Sequence, residues 1–197
     1  MAEPFRATRR GLEVRLSDPE RDLLANLFAQ LDQLLDDGKP VHADPFDELA
    51  ALSGLAGLGD ENAEPPKTPD DPALARLFPD GNRDDADASA EYRRLTESGL
   101  RARKRAGARL AAEVLRREGT QTLDDDQSQA LLKALTDLRL VLGERLGLRT
   151  DEDAARLGAQ LMLGIEPYEG WQSLAMTYEL LQALQESLVQ ALMSKRR

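Results

Sequence analysis

The sequence predicts an all-α fold: an antiparallel helical bundle preceded by a short β-hairpin. Three observations lead there. Leu and Ala dominate together with the helix formers Glu and Arg, while Val and Ile are too scarce for a large sheet. Apolar residues recur at helical spacing in several long stretches. The connections between those stretches are short in the second half of the chain, as antiparallel neighbours require. At 41% hydrophobic content, the 197 residues can bury a core as one domain spanning 1–197. With four Phe, three Tyr and one Trp, that core must be aliphatic.

The elements follow in order. Residues 5–8 and 12–16 flank Arg9-Arg10-Gly11, and Leu12, Val14 and Leu16 alternate with Glu13 and Arg15. A period of two across a glycine turn predicts the hairpin. Ser17-Asp18-Pro19-Glu20 has the spacing of a capping box, with proline early in the first turn. Leu23, Leu24, Leu27, Phe28, Leu31, Leu34 and Leu35 then give a wide apolar helical face, which Gly38 ends.

Between Asp37 and Glu91 fourteen acids stand against four bases, among most of the prolines. That composition predicts a mobile acidic linker at about 37–70, with a short helix within DPFDELAALSGLAGL. It is either a solvated connection or a tether that folds back on the basic helix beyond it. Asp71-Pro72 starts a short helix to Leu77, closed by Phe78-Pro79-Asp80-Gly81. A long helix is predicted over 86–117, with Ser98-Gly99 as the place for a kink. The next covers 124–147, with Leu131, Leu135, Leu138, Leu142 and Leu146 on one face. Thr150 and Asp153 cap a short third helix. A last helix over about 167–193 aligns Trp171, Leu174, Tyr178, Leu181, Leu188 and Leu192.

Several chemistries are excluded. Without cysteine there is no disulfide, thiolate metal site or cysteine nucleophile. The one histidine, His42, sits in GKPVHADPF between two prolines and reads as a solvated loop residue rather than a base or ligand. Asp124-Asp125-Asp126 and Asp151-Glu152-Asp153 suggest hard-metal ligands, but both stand at helix N-termini, where carboxylates cap amides and favour the dipole. No catalytic residue, metal or cofactor is predicted. The opening MAEPFRATRRGLEV has no signal-peptide core, and no stretch approaches the roughly 18 apolar residues of a membrane span. The expectation is a cytoplasmic protein that does not use a membrane.

The predicted contact surface is the long helix. From Tyr92 to Glu118 nine Lys/Arg stand against three Asp/Glu, in a chain whose net charge is −10. At about 100° per residue, Arg94, Arg101, Arg105, Arg109 and Arg116 share one stripe. Tyr92, Leu95, Ala106, Leu110 and Val114 lie opposite, as the expected core face. Three readings compete: a solvated face with local pairs such as Glu97–Arg101, a docking surface for an acidic protein, and a nucleic-acid contact. An acidic chain is repelled by a duplex, so direct DNA binding is disfavoured. Arg94, Arg101, Arg105 and Arg109 are the candidate partner-binding residues. Arg103 falls in the middle of the apolar face, where a guanidinium needs a partner, and Asp137 is the predicted one in a structural ion pair. Gln185, on the apolar stripe of the last helix, marks a helix or dimer contact.

DDPALARLFPD, the acidic break at Arg83-Asp84-Asp85, EYRRLTESGLRARK, LTDLRLVLGERLGL and LQESLVQAL together resemble an actinobacterial family. That family, catalogued as a domain of unknown function, includes the AosR-type oxidative-stress transcriptional regulators. The similarity runs from about 12 to 192 and is least in the acidic middle. The resemblance implies a cytoplasmic helical regulator rather than an enzyme, with RNA polymerase or a sigma factor as partner. At least one member of that family senses oxidants through a closely spaced cysteine pair, and this chain has no cysteine, so that switch cannot operate here. The resulting expectation is a homodimeric, non-enzymatic regulator of stress-response transcription acting through protein contacts. The alternative is a helical adaptor or scaffold with no transcriptional role.

Overall fold

The computed structural model describes residues 4–36, 68–82 and 84–195. The acidic linker expected at about 37–70 therefore lies outside the described residues except for Thr68, Pro69 and Asp70. Gly38, His42 and the helix expected within DPFDELAALSGLAGL lie outside them as well.

The hairpin forms as its alternation requires. Strand β1 (Phe5–Thr8) pairs antiparallel with β2 (Gly11–Val14), Phe5 opposite Val14. Thr8 Oγ1 closes the turn by donating to the Gly11 carbonyl at 2.9 Å. A third strand, β3 (Gln121–Leu123), adds to the other edge of β2 with Leu12 opposite Leu123. The all-α expectation is corrected accordingly: the fold is mostly helical, with a small three-stranded antiparallel sheet. Three residues are too few to show a period of two. Gly11 held the one clue to the extra strand. Its φ is +142°, and a Cβ there would stand 2.2 Å from the Leu123 carbonyl oxygen, so only glycine admits β3.

Six helices are found among the described residues. Helix α1 spans Asp18–Leu34, and the Glu20 carboxylate accepts from the Ser17 N–H at 2.8 Å and from its hydroxyl at 2.6 Å. Of the predicted apolar face only Leu23 is exposed. Helix α2 is Pro72–Leu77, with Asp71 accepting from Ala73 N at 2.9 Å. The longest helix, α3, runs over Ala86–Arg116 without interruption at Ser98-Gly99, and Asp85 caps it. Helix α4 covers Asp125–Arg145, and its N-cap Asp124 accepts from Gln127 N at 2.8 Å. Helix α5 (Asp151–Leu163) starts with reciprocal Thr150–Asp153 bonds and stops at Gly164, whose φ of +66° is left-handed. Helix α6 is Trp171–Lys195, beginning later than the expected 167. The two acidic triplets thus sit at helix N-termini, where Asp124 and Asp153 bond backbone amides.

One core joins the sheet, α1 to α4 and most of α6, around Phe28, Leu12, Leu135, Leu181 and Leu188. A second, smaller cluster of Leu157, Trp171 and Ala175 holds α5 against the start of α6. The face expected on α4 is the buried one, with Leu131, Leu135, Leu138 and Leu142 inside. On α3 the expected core face is corrected. Val114 is buried and Leu95 and Leu110 half-buried, but Tyr92 and Ala106 are exposed. Helix α3 is covered by both α1 and α4, so its buried face is turned away from the single stripe of a wheel.

Candidate functional site

The arginine stripe of α3 does not face outward along its length. Arg105 Nε donates to Asp32 at 2.9 Å, and its Nη1 and Nη2 bind Asp36 in a fork at 2.9 and 3.0 Å. Arg109 Nε reaches the other Asp32 oxygen at 2.9 Å. Arg101 donates to Glu97 at 2.6 Å and to the Leu35 carbonyl at 3.1 Å, with its guanidinium 4.3 Å from the centre of the Phe78 ring. Arg94 makes two bonds to Glu91, at 2.8 and 2.6 Å. Side-chain exposure is 12% at Arg94 and Arg101 and 11% at Arg105, against 52% at Arg109. Asp32 and Asp36 stand at i and i+4 beside the C-terminus of α1, and α1 lies along the stripe. Burial works against the charge of Arg105, but its bonds to Asp32 and Asp36 prevail and raise its pKa above the ordinary value. The Glu97–Arg101 pair exists as expected, inside the structure rather than on a solvated face.

Deeper in α3 lies a charged network that the sequence reading missed. Arg93 and Glu97 are both buried and bond at 3.1 Å. Arg93 also donates to Asp80 at 2.5 Å and, at 3.4 Å, to the Phe78 carbonyl and Thr68 Oγ1. The signal was available, since Arg93, Glu97 and Arg101 are spaced at i, i+4 and i+8 with the acid in the centre.

The predicted Arg103–Asp137 pair is corrected. Arg103 is exposed, and Asp137 binds Lys104 Nζ at 2.5 Å between α3 and α4. One residue is 100° of helix rotation, so a small error in the wheel exchanges neighbours. Lysine suits the place, because its long stem lies along apolar surface while the ammonium reaches the acid. Burial raises the Asp137 pKa, and the hydrogen bond and charge of Lys104 offset this only in part. Gln185 does mark a helix contact. It accepts from Arg139 Nη1 at 2.6 Å and donates to Thr136 Oγ1 at 3.0 Å, tying α6 to α4.

Among the described residues, the α5–α6 hairpin carries several exposed large apolar side chains. Leu157 is the only buried side chain of α5. At its far end Met162 keeps 91% and Leu163 74% of their surface, Ile165 and Tyr168 are exposed in the connection that follows, and Met176 is exposed on α6. Between Asp151 and Leu180 there are six acids and one base, Arg156, which bonds Asp153 at 3.3 Å. This combination of apolar surface and acidic charge was not singled out from the sequence. Its apolar residues could equally fill a core, and only packing shows which do.

Among the described residues no group of three or more His, Cys, Asp or Glu side chains is placed to hold a metal ion. No helix among them is long and apolar enough to cross a membrane. An open depression of about 540 Å³ beside Val14, Leu16 and Thr120 contains Arg21, which is tied to Asp18 and to the Gly119 carbonyl.

A family model described as "Domain of unknown function (DUF2017)" matches residues 2–192. No curated protein and no solved structure matches the chain.

Proposed function

The chain belongs to the DUF2017 family, and we propose that it is a regulatory protein without catalytic activity that works by binding other proteins. The observation that carries this reading is the exposure of Met162 and Leu163, followed within the same hairpin by Ile165, Tyr168 and Met176. Met162 and Leu163 are adjacent and both expose most of their surface, and contiguous exposed apolar surface marks interaction sites. An acidic partner at Arg94, Arg101, Arg105 and Arg109 would first have to displace Asp32, Asp36, Glu91 and Glu97 of this chain. The contact therefore moves to the hairpin.

The resemblance to AosR-type regulators supports a setting in stress-response transcription in the cytoplasm, with RNA polymerase or a sigma factor as partner. Packing of α3 along α1 and α4, and of α4 along α6, supports an antiparallel bundle as the frame that presents the hairpin.

A photo-crosslinking residue at Ala159, an exposed position of α5, tests this in cells of the native host. Crosslinks to RNA polymerase or a sigma factor are expected, and Met162→Gln/Leu163→Gln should remove them. Crosslinks only to further copies of the chain would favour the homodimeric scaffold. Crosslinks unchanged in the double variant would overturn the hairpin as the contact.

A further inference from the structure

We propose that the α5–α6 hairpin receives an amphipathic helix from another protein, with Lys or Arg along the edges of its apolar face. This rests on the reading of the hairpin as a contact surface and goes on to assign the chemistry of what covers it.

The form of the partner follows from the backbone. Helices α5 and α6 spend their amides and carbonyls internally, so the hairpin offers no strand edge to extend. Recognition must come through side chains. Met162, Leu163, Ile165 and Tyr168 stand at the end of α5 and in the connection, and Met176 on the first turns of α6. An apolar stripe on a partner helix, with anchors at i, i+3/i+4 and i+7, is the form of side-chain recognition that such residues can receive. Unbranched methionine side chains adapt to the shape they meet, which suits a surface that is not preformed as a pocket.

Charge selects among occupants. The hairpin carries a net of −5 between Asp151 and Leu180, from six acids and one base. A second copy docked on the same face would bring another −5 against it, and an anionic lipid surface would repel it too. A basic helix gains on both counts, by covering the apolar side chains and by bringing positive charge to a stretch in which Glu166, Glu169 and Glu179 are exposed.

The probes are a labelled Leu/Lys peptide patterned as an amphipathic helix and its counterpart with Glu for every Lys, titrated into the full chain. Anisotropy should show the Lys peptide binding, and the Glu peptide binding at least tenfold more weakly. Raising salt to about 0.5 M, where screening reaches within about 5 Å, should weaken the Lys peptide severalfold. Met162→Gln/Leu163→Gln leaves every charge in place and should weaken it at least tenfold. Amide exchange should slow across 157–176 in the complex. Equal binding of the two peptides, or Lys-peptide binding that survives the double variant, would overturn the proposal. So would binding to phosphatidylglycerol vesicles, or self-association, that the double variant abolishes. If neither peptide binds while the double variant still removes the Ala159 crosslinks, the contact surface stands and its assigned partner chemistry is wrong. If those crosslinks persist in the double variant, the contact surface itself falls.

Discussion

The seam between α1 and α3 and the tip of the α5–α6 hairpin treat their side chains in opposite ways. At the seam, Arg101, Arg105 and Arg109 meet Glu97, Asp32 and Asp36 within the chain. At the tip, Met162 and Leu163 meet no layer of protein. The seam is conspicuous in the sequence, and the tip is not. A run of charge advertises a surface only until its complement is found, and here the fold brings that complement from about seventy residues away. An apolar run, by contrast, reads as core until one learns that α5 buries a single side chain.

The comparison breaks most easily at Glu97. This carboxylate lies between Arg93 and Arg101, and both it and Arg93 are buried. Glu97→Ala leaves two guanidinium groups short of a counter-charge in a place that water hardly reaches. Removing one partner of a buried pair costs about 3 kcal/mol or more, which urea unfolding would register as a lower midpoint with an unchanged slope. Met162→Gln/Leu163→Gln should stay within about 0.5 kcal/mol of the parent. A small loss at Glu97 would mean that Asp80 and the Phe78 ring suffice, and the seam would then be no more structural than the tip.

Caps written into short spacings, such as Ser17–Glu20 and Thr150–Asp153, are local chemistry, and they stand where expected. The leucine face of α4 was legible because α4 has one broad apolar side. The α3 face was not, because α1 and α4 both cover it and the first turns bury Arg93 and Glu97 rather than leucine. Strand β3 was hidden in three residues whose only advertisement is the freedom of Gly11, more than a hundred positions earlier. At the candidate site the arginines bond Asp32, Asp36, Glu91 and Glu97 of the chain itself, and wheel geometry could not name the acids of α1 because it shows direction and not what lies there. The hairpin surface was invisible for the same reason, seen from the other side.

Leu157→Ala sharpens the contrast at an intermediate scale. Leu157 is 2% exposed and, with Trp171 and Ala175, forms the small cluster that holds α5. Truncating a buried leucine costs about 2 kcal/mol at the low end of the usual range, and the low end suits a cluster this near the surface. The cost should appear as local opening. Hydrogen exchange is expected to speed up across 151–163 while protection within α3 and α4 stays unchanged. A uniform rise over the whole chain would show that the hairpin unfolds with the main core, and the two regions would then be one cooperative unit.

The smallest effect expected is at Asp137, and its sign is the informative part. Burial lifts the pKa of this carboxyl above the usual aspartate value, and Lys104 reverses only part of that. The folded chain therefore holds a proton that the unfolded chain has already released in the window between the ordinary and the raised pKa. Stability from this group is complete below the ordinary aspartate pKa of about 3.9, and is lost as pH rises through the raised one. Asp71 runs the other way. Burial opposes its charge, but the Ala73 amide and Arg145 prevail and lower its pKa, so its contribution is present above the ordinary value and lost as pH falls. Asp137→Asn keeps an acceptor for Lys104 and removes the titration. Near neutral pH it should change stability by less than about 1 kcal/mol, because the desolvation it relieves and the ion pair it breaks are opposed. Unfolding measured from about pH 3 to about pH 7 should show the parent losing ground to Asp137→Asn as pH rises. The reverse slope would mean that Lys104 outweighs burial, making this contact a seam of the same kind as Arg105 with Asp32.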